Sequence, residues 1–280
     1  MGRPAPGDDG QDQRVALVTG TLRTTRRVAL TADGAAVVAV ARSVVADVDT
    51  CLAHVEGYLS GTRGSLRIAT LPSLAATLLP PFVLALRSAH PGVSITVEDR
   101  LSEGVLTSLG SGAVDLAVTA LGPDRPRQAQ VLPLARDDFF LAVPQGHDLA
   151  DREEVTWADL DDRALVGFSG SSSIRRLVDE ALAAHGVEPS GTIEAQNVGS
   201  VAGLVSGGLG VAAVPGFVLP PLEFARLHYV PLVPTVSRRI VLLRDARRPL
   251  TPAVRTWVDM VTGPGAPRPV MRGVTWVATG

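Results

Sequence analysis

Three short segments carry hydroxyl groups where an anion can be held. Ser73 follows a strand-like apolar run and opens a helix-like one, Ser102 stands at the next such junction, and Gly170-Ser171-Ser172-Ser173 leads into a third at Ile174. The first turn of a helix has N–H groups without intrahelical partners and a partial positive charge. A hydroxyl beside them completes a site for a carboxylate or phosphate. Each serine taken alone also reads as an ordinary N-cap. Three at corresponding junctions shift the balance toward a site for a small anion.

Other chemistry fits less well. Gly167-Phe168-Ser169-Gly170-Ser171 approaches the G-x-S-x-G nucleophile elbow but ends in serine. A triad also needs a placed histidine and acid. His185 falls near a helix end, and His147 and His228 fall in loops. Gly207-Gly208-Leu209-Gly210 leads into a strand, whereas a dinucleotide loop leaves one, so it reads as a helix C-terminal turn. The histidines at 54, 90, 147, 185 and 228 and Cys51 lack metal-ligand spacing. We therefore expect no catalytic residue, no metal and no cofactor.

The elements that must position these serines alternate. Strands are expected at Leu66–Ala69, Val93–Val97, Val114–Thr119, Phe139–Val143, Ala164–Phe168, Thr192–Ala195, Val211–Val214 and Arg239–Leu243. Helices are expected at Ser73–His90, Leu101–Leu109, Ser173–His185, Ser200–Ser206 and Pro252–Val261. Such alternation implies largely parallel sheet covered by helices. Two successive units of similar size predict two lobes joined by crossing strands. The serine junctions then lie at the carboxyl ends of strands, facing one cleft from both sides.

Before these units, Thr31 is a good N-cap for a helix from Ala32 to about Leu59. Val37, Ala41, Val44, Val48, Leu52, Val55 and Leu59 recur at alternating steps of three and four. That is the seam of a helix that pairs with another helix, a reading the single narrow stripe favours over a helix packed on its own domain. Residues 1–13 offer almost nothing to bury and are expected to be disordered; Val15–Val18 is a short apolar run; the Gly/Pro-rich tail from Gly263 is expected to be loose.

Composition narrows the setting. The formal net charge is −2, so no global field draws the molecule to nucleic acid or to an anionic membrane. One cysteine cannot form an internal disulfide, which fits a reducing compartment. We read no signal peptide and no apolar run of membrane-spanning length, and expect a soluble cytoplasmic protein.

Several motifs in order resemble the LysR-type transcriptional regulators. Arg23-Thr24-Thr25-Arg26-Arg27-Val28-Ala29-Leu30-Thr31, then Gly34, resembles that family's wing and the start of its linker helix. Gly64-Ser65-Leu66-Arg67-Ile68-Ala69 resembles its first effector-domain strand, with Leu78-Leu79-Pro80 and His90-Pro91 marking the helix and turn that follow. Gly112-Ala113-Val114-Asp115-Leu116-Ala117 and the set Leu204-Val205, Gly208-Leu209-Gly210-Val211 and Val214-Pro215 resemble later segments. The similarity covers about residues 22–262. Each motif is weak alone, and their order and spacing together are specific.

The resemblance implies an α/β fold: a two-lobed, periplasmic-binding-protein-like effector domain preceded by a long linker helix and a remnant winged helix-turn-helix. The divisions are an unmatched segment 1–22, a wing remnant and dimerisation helix 23–62, lobe I at 65–137 and 235–262, lobe II at 138–234, and a tail 263–280. It places effector contacts at Ser73, Ser102, Ser172 and Ile174, with Ser171 and Ser173 beside them and Asn197, Val198 and Phe217 as walls. Ile174 and Phe217 would accept a ring or alkyl part. DNA contacts fall to Arg23, Thr24, Thr25, Arg26 and Arg27, since guanidinium forks suit phosphate. The same arginines also read as a solvated basic turn. The family's recognition helix is not evident before Arg23, and residues 1–62 hold six arginines against seven acids, so weak DNA binding is expected. Expected partners are a small anionic effector, DNA, and a second copy through residues 32–59, with tetramers possible and no membrane. The alternatives are a solute-binding protein, a DNA-blind sensor that pairs with an intact relative, and a hydrolase using Ser169.

Overall fold

A computed structural model describes residues 21–24, 27–61, 63–122 and 128–277. The expectations for residues 1–13, for Val15–Val18 and for a recognition helix before Arg23 lie outside the described residues, as do Thr25 and Arg26. The chain divides into two compact units, Met1–Glu56 and Gly57–Gly280.

In the first unit β1 (Thr21–Thr24) and β2 (Arg27–Leu30) pair antiparallel, with Arg23 opposite Val28 and Thr24 opposite Arg27. Helix α1 (Ala32–Leu59) follows. Thr31 Oγ1 accepts the Gly34 N–H at 3.0 Å, which satisfies one of the free donors and sets the helix start. Along α1, Val37, Val44, Val48, Leu52 and Val55 are each more than half exposed. The helix therefore carries a line of aliphatic side chains exposed to water.

The second unit opens with β3 (Arg63–Thr70), α2 (Pro72–Thr77), α3 (Leu79–Ala89), β4 (Gly92–Asp99), α4 (Ser102–Ser111) and β5 (Leu116–Ala120). It continues with β6 (Ala129–Val143), β7 (Val155–Thr156), β8 (Ala164–Phe168), α5 (Ser173–Ala184), β9 (Gly191–Ala195) and α6 (Val198–Ser206). It closes with β10 (Ala212–Pro215), β11 (His228–Val233), β12 (Ser237–Asp245), α7 (Pro252–Thr262) and β13 (Val274–Trp276). The single helix expected over Ser73–His90 is two, because Pro80 and Pro81 stand in the first turn of α3. Proline lacks an N–H and clashes with the preceding turn, so it starts a helix and does not continue one.

Strand β3 pairs in parallel with β4 and β5, and β8 with β9. The strands that connect the lobes are antiparallel, which departs from the largely parallel expectation. Residues 129–138 of β6 pair with β12, and residues 139–143 pair with β10 and β11. One strand therefore crosses from one lobe to the other, and β12 returns beside it. The strand expected at Phe139–Val143 extends back to Ala129 because β12 supplies hydrogen-bond partners there. The local sequence, with Pro133, Arg136, Asp137 and Asp138, shows no apolar strand run. Two hydrophobic cores result. One contains Leu66, Phe82, Leu242 and Trp257, the other Leu141, Trp157, Val205 and Leu232. The second unit is thus a two-lobed α/β domain. No helix among the described residues is long and apolar enough to cross a membrane.

The segment after Gly263, expected to be loose, is anchored. Val274 lies opposite Asp137 in the β13–β6 pairing. The Trp276 ring meets Phe82 edge-on at 6.1 Å and Phe217 at 6.3 Å, and its Nε1 donates to the Pro269 carbonyl at 3.0 Å. A Gly/Pro-rich composition leaves a chain free only when no large side chain has a core to enter.

Helix α6 ends as the glycines predict, with Gly208 at φ +78° and the Leu209 N–H donating to the Leu204 carbonyl at 3.2 Å. Gly210 (φ +153°) then passes so close to β8 that a Cβ would lie 2.6 Å from the Ala164 oxygen. Gly210→Ala is expected to cost about 1–3 kcal/mol of stability, read as an earlier urea midpoint. An unchanged midpoint would mean that β8 shifts freely.

Candidate functional site

Two adjoining cavities open where the lobes face each other. The inner one, about 60 Å³, is lined from the first lobe by Leu71, Pro72, Ser73, Leu101 and Ser102, and from the second by Phe168, Ser172, Ser173, Ile174, Gln196, Asn197 and Val198, with Arg238 on its wall. The outer one, about 550 Å³, adds Glu103, Thr107, Gly170, Ser171 and Arg176 and shares Ser102, Ser172 and Ser173 with the inner one.

The alternation of strands and helices builds this convergence. Leu101 is the N-cap position of α4 and has no side-chain acceptor, so the N–H groups of the first turn keep their capacity for a ligand. The Ser102 hydroxyl that follows is buried without a hydrogen-bond partner. Ser73 lies inside the first turn of α2, where Leu71 is the N-cap residue, and is buried. Across the cleft, Ser172 is a true N-cap, its Oγ accepting the Ile174 N–H at 3.2 Å. Asn197 caps α6 in the same way, accepting the Ser200 N–H at 2.8 Å. The capping role that serves as the ordinary explanation for all of these residues therefore holds at Ser172 and Asn197, while Ser73 and Ser102 do not cap.

The structure brings together Ser73, Ser102, Ser171, Ser172, Ser173, Ile174, Asn197 and Val198. It places Phe217 elsewhere. Phe217 is fully buried in the core of the first lobe. Its N–H donates to Asp137 Oδ1 at 3.0 Å and its carbonyl accepts the Thr77 hydroxyl at 3.3 Å. It ties the lobes together beside the crossing strands and is not a cleft wall, because Trp276 holds its ring in the core.

Sequence reasoning missed Gln196 and Arg238. Arg238 is 1% exposed, and its Nε donates to Asp137 Oδ2 at 3.0 Å, with Nη2 on the same oxygen. Burial raises the Asp137 carboxyl above the ordinary carboxylate value, while the Arg238 charge and hydrogen bonds and the Phe217 N–H pull the other way. The signal for Arg238 was present. In β12 it shares a face with Ile240 and Leu242, two and four residues on, and both are buried. A charge on the apolar face of a strand needs a buried partner.

Ser169 faces Ser171, with the two hydroxyl oxygens 3.4 Å apart. His185 Nδ1 lies 2.8 Å from the Ala181 carbonyl, and His147 Nδ1 accepts the Leu149 N–H at 3.2 Å.

The family profile described as the LysR substrate binding domain matches residues 59–263. The HTH-type transcriptional regulator YbhD of Escherichia coli K12 is 25% identical over 240 residues, spanning 85% of this chain and 75% of that protein. The HTH-type transcriptional regulator YfeR of Shigella flexneri is 26% identical over 243 residues, spanning 87% and 79%. Among solved structures, full-length CbnR complexed with its target DNA superposes with a TM-score of 0.73 at 19% identity, covering 86% of this chain and 82% of that one. The effector binding domain of QuiR in complex with shikimate gives 0.66 at 20% identity, covering 71% and 95%. With this profile spanning most of the two-lobed unit, the chain belongs to the LysR-type transcriptional regulators, and residues 59–263 are its substrate binding domain.

Proposed function

We propose that this LysR-type regulator senses a small anionic effector in the cleft between its lobes and carries no catalytic activity. The observation that carries the reading is the Ser102 hydroxyl, buried and unpartnered at the start of α4, opposite Ser172 and Ser173. A buried polar atom without a partner costs free energy, and a ligand oxygen would recover it. The contacts are Ser73, Ser102, Ser171, Ser172, Ser173 and Asn197, with Ile174 and Val198 as apolar wall. QuiR is described with shikimate and CcmR of Synechocystis PCC6803 with 2-PG, and both superpose at a TM-score of 0.66. Lobe I comprises 65–137 and 235–262 and lobe II 138–234, so effector binding shifts one against the other about β6 and β12. The output is a changed geometry of a dimer formed through residues 32–59, or of a tetramer built from it. DNA is met by Arg23, Thr24, Thr25, Arg26 and Arg27, in the cytoplasm.

Ser102→Phe fills the cleft from the start of α4. Small carboxylates, shikimate among them, are expected to raise the melting temperature of the native protein and to leave this variant unmoved. Equal shifts in both would remove the cleft as the binding site. DNA association is expected to weaken steeply with salt, as counterion release dictates, and to change when the carboxylate is added.

A further inference from the structure

We infer that Arg238 is the anion-recognising group of the cleft, with Asp137 as the internal counter-charge that sets its affinity. The inference rests on the cleft being the effector site. Arg238 lines the inner cavity and is itself almost completely buried. Among the described residues, the side-chain hydrogen bonds of Arg238 both end on one oxygen, Asp137 Oδ2, and start from Nε and Nη2. Nη1 has no such bond. A guanidinium presents five N–H donors in a planar fork that matches an oxyanion in two places at once. Here one side of the fork is occupied and the other is left for a ligand. The Ser102 hydroxyl, lining the same cavity, supplies a further unpartnered donor.

Asp137 is placed to temper that cation. Its other oxygen is occupied by the Phe217 N–H, and its backbone stands where β6 pairs with both β12 and β13. A lone buried guanidinium would be too costly to keep, so the carboxylate holds it while the cleft is empty. An arriving oxyanion shares the cation with Asp137, and the two negative charges repel. Affinity is therefore lower than the bare guanidinium would give, and the ligand's charge is felt at the point where the strands cross between lobes. The ligand class is a small carboxylate or phosphate, in either case an oxyanion and not its neutral ester or amide.

The experiment uses the full chain with shikimate, succinate and inorganic phosphate as probes and the methyl esters of the two carboxylates as controls. Binding is followed by calorimetry and melting temperature. At least one oxyanion, and neither ester, is expected to bind. With that oxyanion, Asp137→Asn keeps an acceptor for Phe217 and Arg238 but removes the competing charge. It is expected to tighten binding about tenfold, each factor of ten corresponding to about 1.4 kcal/mol. Asp137→Asn with Arg238→Gln leaves no buried charge unpaired and is expected to lose that gain and at least about a further tenfold. A merely structural ion pair predicts no tightening in the single variant. Unchanged affinity in both, ester binding equal to that of the acids, or no binding by any oxyanion overturns the assignment. Ser102→Phe separates the two levels. If it abolishes binding while the double variant binds normally, the cleft stands and Arg238 is excluded. If it too binds normally, the cleft itself is wrong.

Discussion

If the proposed pairing through residues 32–59 holds, glutamate at both Val48 and Leu52 is expected to turn that dimer into monomers while the fold of each chain persists. These side chains are 52% and 55% exposed and lie one helical turn apart on the α1 seam. In a two-fold dimer each change occurs twice, so four carboxylates enter an apolar interface. Each aliphatic side chain buried there contributes about 1.5–3 kcal/mol, so losing four weakens association by at least about 6 kcal/mol, a factor on the order of ten thousand. Glutamate is a good helix former, and neither hydrophobic core includes α1, so secondary structure should not change. Sedimentation velocity at micromolar protein reads the mass directly, with far-ultraviolet circular dichroism as the control. A variant that still sediments as a dimer would move the interface off this seam.

The next largest effect concerns the ion pair between the crossing strands. Asp137→Ala alone is expected to destabilise the second unit by about 3–5 kcal/mol, because it strands a buried guanidinium. Asp137 is fully buried and also holds the Phe217 N–H, so one change removes every side-chain hydrogen-bond partner that Arg238 has among the described residues and a buried backbone contact together. Adding Arg238→Met should return a large share of the loss, since two apolar groups replace a broken pair. Urea unfolding of the four proteins gives the coupling. Losses that simply add, within about 0.5 kcal/mol, would show that the two residues do not depend on each other.

Much of this was legible in the residues. The step of three and four along Val44, Val48, Leu52 and Val55 announces a long helix with one aliphatic line, and Thr31 marks its start to the residue. The strand-to-helix junctions at Ser102 and Ser172 were legible because each sits between runs of different period. That the two face one cleft also followed, since parallel α/β units gather their carboxyl-end loops on one side.

Other features depended on partners distant in sequence. Residues 129–138 of β6 carry no strand pattern and are extended because β12, about a hundred residues later, pairs with them. Phe217 looked like a cleft wall and lies in the opposite core because Asp137 and Trp276 hold it there. Trp276 in turn anchors a tail whose Gly/Pro content promised freedom. The sequence by itself determined the periodic elements, the caps and the order of the motifs, because these rest on neighbours within a few residues. Only the tertiary structure decided the antiparallel pairing of the crossing strands, the burial of Phe217 and the pairing of Asp137 with Arg238. Each of those is a contact between segments far apart in the chain, and the free energy of burying a charge or an aromatic ring exists only once both segments are in place.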